Sequence, residues 1–206
     1  MTPKKYQLFV VVFTILCLIV TIVGLYSLHN RQDKQPLISA VISVGVENIT
    51  HTNFINRIIK NTNFESKDRV RIFLGPYQSI LGLDGFILND SLDYYILIDW
   101  GFYFSLEEGE KEALIAHELG HKIYRPSLIE NIQLDIIHKL RGYIDLKTRH
   151  NQITTKYQTK ADTFAAEKTS PEKVISVLNK IRIDRSGYDY KTRMESLNKL
   201  KQGQID

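Results

Sequence analysis

One cysteine, one tryptophan and two methionines are all that the 206 residues hold of these three types. The lone Cys17 excludes an intramolecular disulfide and any thiolate zinc site. A metal site in this chain therefore has to draw on histidine, carboxylate or amide ligands. Strong charge imbalance is absent too. The net charge is +4, and no basic stripe with interleaved aromatics stands out, which argues against a nucleic-acid partner. Residues 171–206 carry eight Lys/Arg against five Asp/Glu, the pattern of a solvated helix face. An apolar share of 43% and a charged share of 24% fit a globular protein, and the length fits one domain with an appendage.

Charge is missing altogether from residues 6–28, "YQLFVVVFTILCLIVTIVGLYSL". As a helix this run spans about 34 Å, enough to cross the hydrocarbon core of a bilayer. A cleaved signal peptide would have a shorter apolar region closed by a small-residue site, and no such site follows. The expectation is a permanent transmembrane anchor over 1–28, a polar linker over 29–36 and a soluble domain over 37–206. Lys4 and Lys5 before the run favour a cytoplasmic N-terminus, with the C-terminal domain outside, although Arg31 and Lys34 count against it. The lipid bilayer is then one partner.

In the soluble part, Phe54, Ile55, Ile58 and Ile59 recur at helical spacing. "RVRIFL" at 69–74 runs into Gly75-Pro76 and reads as a strand with its turn, while "DGFIL" at 84–88 and "YYILID" at 94–99 supply two further strands. Ser105 and Glu108 have capping-box spacing and predict a helix over about 106–124, ended by Pro126. Ser127 and Glu130 repeat that spacing and open a second long helix with Ile129, Ile132, Ile136, Leu140 and Ile144 on one face. "HNQITT" at 150–155 reads as a break, and a third helix follows with Tyr157, Ala161, Phe164 and Ala165 inward. Ser170-Pro171 is a cap followed by proline at the first helical position. The last helix covers about 190–201. Strands first and helices after is an α+β layout.

The chemistry lies in "ALIAHELGHKIY", residues 113–124. His117 and His121 are four apart, so on a helix they project from one face and suit two imidazole nitrogens on one Zn2+ ion. Glu118 sits beside them, where it reaches a water activated by the ion and takes its proton for attack on a peptide carbonyl. Ile115, Leu119 and Ile123 form a stripe for the core, and the small Ala116 and Gly120 permit close approach of another helix. The bland alternative is a helix with two partly exposed histidines. A catalytic zinc needs a third protein ligand. His138, His150, Asp145, Gln158, Asp162 and Glu167 all follow, and residue type alone does not choose among them.

The stretch "YYILIDWGFYFSLEEGEKEALIAHELGH", with "QTKADTFAAE" and "YKTRMESL" downstream, resembles the HtpX-like membrane metallopeptidases, relatives of the CAAX prenyl endopeptidases among the gluzincins. The likeness covers about residues 69–200. It implies a zincin-like metalloprotease domain with a small N-terminal sheet and a helical remainder, behind one transmembrane helix. It implies zinc ligands at His117 and His121, Glu118 as general base, and Asp162 orienting a ligand histidine. The family's third ligand is a Glu four residues before that Asp, and here the position is Gln158. The amide keeps the place on the helix and loses the charge, so either Gln158 is the third zinc ligand through its amide oxygen or Asp162 takes that role with a small helix shift. The family's usual His-Pro before the last helix is also missing, and "SGYDY" stands there. The activity so implied is a membrane-anchored zinc endopeptidase acting on polypeptides, membrane-associated proteins among them. The alternative is an impaired descendant that binds a partner through the old cleft.

Overall fold

The structure, a computed structural model, describes residues 39, 42–62, 69–81, 85–90, 93–127, 129–131, 133–134, 147–181 and 188–203. The chain divides into two units, Met1–Ser43 and Val44–Asp206. In the first, residues 39, 42 and 43 are helical. The second holds every element below.

Strand β1 (Val46–Asn48) is followed by helix α1 (Thr52–Lys60), strand β2 (Arg69–Gly75), the single-turn helix α2 (Tyr77–Leu81), and strands β3 (Gly85–Asp90) and β4 (Asp93–Asp99). The short α3 (Trp100–Phe104) leads into α4 (Glu108–Ile123), then come α5 (Lys147–Lys168), α6 (Pro171–Lys180) and α7 (Tyr188–Lys201). The strands form one sheet in the order β1-β2-β4-β3. β2 and β4 run parallel, with Ile72 opposite Ile96, while β1 and β3 pair antiparallel at the two edges.

Residues opposite each other in a ladder share a face. Ile72, Leu74, Ile96 and Ile98 point into one cluster with Phe54, Ile55 and Ile58 of α1 and Ala113–Ala116 and Leu119 of α4. Phe73, Tyr95 and Leu97 on the other face are buried as well. Burial on both faces is why β4 reads as a continuous apolar run rather than an alternation. Asp99 ends β4 and anchors the two short helices α2 and α3, since its carboxylate accepts from the backbone N–H of Gln78 at 2.9 Å and of Phe102 at 3.1 Å.

Helix α4 is central. Every residue from Ala113 to Gly120 is buried, so this stretch is covered all round. Complete burial of Leu114, Ile115 and Leu119 stabilises the fold by about 1.5–3 kcal/mol each. His117 and Glu118 are enclosed with them, which for polar groups requires partners.

Several expectations need correction. The α+β zincin-like fold behind a transmembrane helix is not what the structure supports. The described chain is mostly helical around one small four-stranded sheet, and no helix among the described residues is long and apolar enough to cross a membrane. Even α5, with 22 residues, carries Lys147, Arg149, Lys156, Lys160, Asp162 and Glu167 along its length, which hydrocarbon would not accept. Residues 6–28 and the linker 29–36 lie outside the described residues, as do Ile132, Ile136, Leu140 and Ile144 of the second long helix.

Ser105 does not cap α4. It ends α3, and the cap is Glu107, which forms the capping box with Glu110. The break at 150–155 is absent, because α5 runs unbroken from Lys147. That stretch contains neither Gly nor Pro to stop a helix, and its buried Ile153 packs with Tyr157 against Tyr124 and Leu134. The Ser127–Glu130 box and the Ser170 cap form as expected.

Candidate metal centre

The site is built from the C-terminal half of α4, the middle of α5 and the start of α7. The acidic first turn of α4 suits the positive end of its dipole. Glu110 there is buried and accepts from Ser176 Oγ at 2.5 Å and from Lys180 Nζ at 2.6 Å, which fixes α4 against α6. Farther along, the helical repeat sets His117 and His121 one turn apart. Their Nε2 atoms stand 3.1 Å from each other, with the rings perpendicular.

Helix α5 comes close because Gly120 has no side chain. A Cβ there would lie 2.8 Å from Cα of Ala161. This contact brings Asp162 to His117, whose Nδ1–H donates to Oδ1 at 2.8 Å. Gln158, one turn earlier on α5, hydrogen-bonds with the His121 ring. Behind them Arg193 of α7 holds Asp162 by two bonds, Nε to Oδ2 at 2.6 Å and Nη2 to Oδ1 at 2.9 Å.

Burial governs the electrostatics. It pushes His121 down to about 3, with the neighbouring His117 adding in the same sense, so His121 is a neutral imidazole. Burial also raises Glu118, partly offset by His117 and Arg193. Burial alone would raise Asp162, but the His117 ring and the Arg193 guanidinium outweigh it and hold the carboxyl down at about 2.

The residues present fit a zinc ion in position. Two imidazole nitrogens on a tetrahedral zinc, each about 2.0–2.1 Å from it, stand about 3.3 Å apart, close to the separation of the two Nε2 atoms here. With Nδ1 of His117 committed to Asp162, Nε2 is the ring nitrogen left to face an ion. The same 3.1 Å separation is also that of an N–H···N hydrogen bond, with the donor set by the tautomers of the two rings.

The sequence-predicted residues His117, Glu118, His121, Gln158 and Asp162 are thus brought together. Asp162 has both oxygens engaged by Arg193 and His117, the arrangement of a residue that orients a ligand. Among the other candidates for the third position, Glu167 is exposed on α5, while His138 and Asp145 lie outside the described residues. His150 belongs to α5 rather than to a loop. Among the described residues no group of three or more His, Cys, Asp and Glu is placed to hold a metal ion, and the side chain of α5 that meets His121 is the amide of Gln158. Sequence reasoning passed over Arg193 as part of the site. Its signal was the stretch "YKTRMESL", where Arg193 and the core Leu197 carry the resemblance noted above without a role assigned to the arginine.

No protein-family model matches the chain, and a search of curated proteins finds no significant match.

Proposed function

We propose that the chain is a zinc-dependent metalloendopeptidase, with His117, His121 and the amide of Gln158 holding the ion and Glu118 acting as general base. The observation that carries this reading is the convergence of two imidazole Nε2 atoms beside a buried glutamate, with a carboxylate on the far nitrogen of His117. When bound, the ion supplies Lewis acidity toward water and a peptide carbonyl. Glu118 removes the proton of the attacking water and returns it to the leaving nitrogen. Its burial supports this role, since a carboxylate kept from solvent and raised above its ordinary value is a stronger base. His117 is held in one tautomer by Asp162, so its orientation costs little on binding.

The test is cleavage of an unfolded protein such as casein by the purified full chain and by Glu118→Gln, together with zinc stoichiometry. Activity in the wild type alone, with one zinc per chain, supports the reading. Equal behaviour of the two proteins rules it out.

A second reading rests on Gln158. An amide binds zinc without neutralising charge and so more weakly than a carboxylate. A chain that retains no zinc and cleaves nothing when zinc is added would be a binding protein that keeps the old cleft.

A further inference from the structure

Three helices converge behind the histidine pair, and Arg193 joins them. It projects from α7 and is 5% exposed, on the helix that supplies Leu197 to the core and packs Tyr190 and Met194 against it. Burying a guanidinium is unfavourable unless its donors are used, and an apolar side chain would pack there without that penalty. Two donors make hydrogen bonds and a third nitrogen faces a carboxylate. Nε and Nη2 bond the two oxygens of Asp162 at 2.6 and 2.9 Å, and Nη1 lies 3.6 Å from Asp189 one turn earlier.

Two parallel bonds from a planar fork fix the plane of a carboxylate, which a single point charge does not. The fixed plane matters because Asp162 Oδ1 is also the acceptor for His117 Nδ1 at 2.8 Å. An ionised carboxylate only accepts, so the imidazole nitrogen facing it carries the proton, and in the neutral ring the opposite nitrogen is then the one with the lone pair. That opposite nitrogen is the Nε2 that meets His121.

We propose that Arg193 is a positioning residue of the metal centre: by clamping the Asp162 carboxylate it locks His117 as the Nδ1–H tautomer, with its Nε2 lone pair directed at the ion. The inference rests on the zinc reading, yet its first consequence, the tautomer of His117, exists in the metal-free protein. Arg193 touches neither substrate nor ion and is not itself catalytic. A salt bridge that merely tied α5 to α7 would affect stability and leave the tautomer alone.

The experiment uses the full chain with 15N-labelled histidine. The His117 tautomer is read from one-bond and long-range 1H–15N couplings without metal, and the zinc Kd by chelator competition. The variants are Arg193→Met, Arg193→Lys and, as a control for lost stability away from the centre, Glu110→Gln. Wild type should show the Nδ1–H form of His117. Arg193→Met should show mixed tautomers and bind zinc about 10- to 100-fold more weakly, the usual effect of losing an outer partner of a ligand. Arg193→Lys keeps the charge without the fork and should lie between, at least about threefold weaker in zinc with a visible Nε2–H form. Glu110→Gln should match wild type in both readouts.

If Arg193→Met does not fold, Arg193→Lys decides. A folded Arg193 variant with wild-type tautomer overturns the proposal, as does one with unchanged zinc Kd. If the wild-type chain itself takes up no zinc, the metalloendopeptidase reading fails separately. The tautomer of the lysine variant still decides whether Arg193 positions His117.

Discussion

Gly120 and Ala161 mark the point of closest approach between α4 and α5: a Cβ added at 120 would sit 2.8 Å from the Cα of Ala161 and 3.2 Å from its carbonyl oxygen. These are backbone atoms, which do not swing aside as the end of a flexible side chain would. Gly120→Ala sets two effects against each other. Alanine gains up to about 1 kcal/mol in helix propensity, and overpacking costs about 1–3 kcal/mol. Overpacking should win, because the clash is with main chain. The expected outcome is a net loss of stability in denaturant titration. Zinc binding should weaken as well, since parting the helices draws Asp162 and Gln158 away from the histidines. A Gly120→Ala chain as stable as wild type would mean that the seam is looser than described.

Gln158→Glu should tighten zinc binding by at least about tenfold, roughly 1.4 kcal/mol, because a carboxylate on the same helix position adds a full charge beside the ion. Calorimetry with zinc on the full chain measures this. An unchanged Kd would place Gln158 outside the coordination of the ion, with its contact to His121 serving only to orient that ring.

His51 offers a test in pH. It is buried, its Nε2 stands 2.8 Å from the Tyr103 hydroxyl and its Nδ1 lies 3.6 Å from Glu108. Burial lowers its pKa below 6.5, against the pull of Glu108 and Glu112 and with that of Lys111. The unfolded chain therefore takes up a proton at about pH 6.5 while the folded chain does not. Stability associated with neutral His51 is complete above that pH and declines as pH falls toward the folded value, by up to about 1.4 kcal/mol per unit. His51→Gln removes this titration. The stability difference between wild type and variant should be constant from pH 8 to 7 and shift against wild type between pH 6.5 and 5. A constant difference across the whole range would refute it.

Glu110 should behave in the opposite chemical sense. Burial acts to raise its carboxyl, but Lys180, Ser176 and the Glu107 backbone outweigh it and lower the pKa. Glu110→Gln should cost about 1–2 kcal/mol at pH 7, where a charged acceptor of three bonds is lost. The lysine end is partly exposed and contributes little of that. Because the folded pKa lies below 4.5, the contribution is present above that value and is lost as pH falls through the folded one. Denaturation at pH 7 and pH 3 should show the penalty shrinking.

Much of the fold was readable where a local rule acts alone. The strands at 69–74 and 94–99, the capping box at Ser127–Glu130 and the Ser170-Pro171 start all appear as expected. The misreadings occur where distant contacts override local preference. Ser105 looked like a cap, but Asp99 gathers the preceding residues into α3 and moves the start of α4 two residues on. The polar stretch at 150–155 looked like a break, but burial of Ile153 and Tyr157 against Tyr124 and Leu134 keeps it helical.

By itself the sequence determined that His117 and His121 share a face and that Glu118 lies beside them, because a 3.6-residue turn places neighbours without reference to anything else. It also set Gln158 and Asp162 one turn apart on a second helix. Tertiary structure alone decided that these two faces meet, that Asp162 takes His117 while Gln158 takes His121, and that Arg193 closes the site from behind. Those contacts link residues 31 or more positions apart and depend on how near α5 can come to α4. The missing side chain of Gly120 sets that distance, and the low dielectric of the packed core then gives each polar contact its strength.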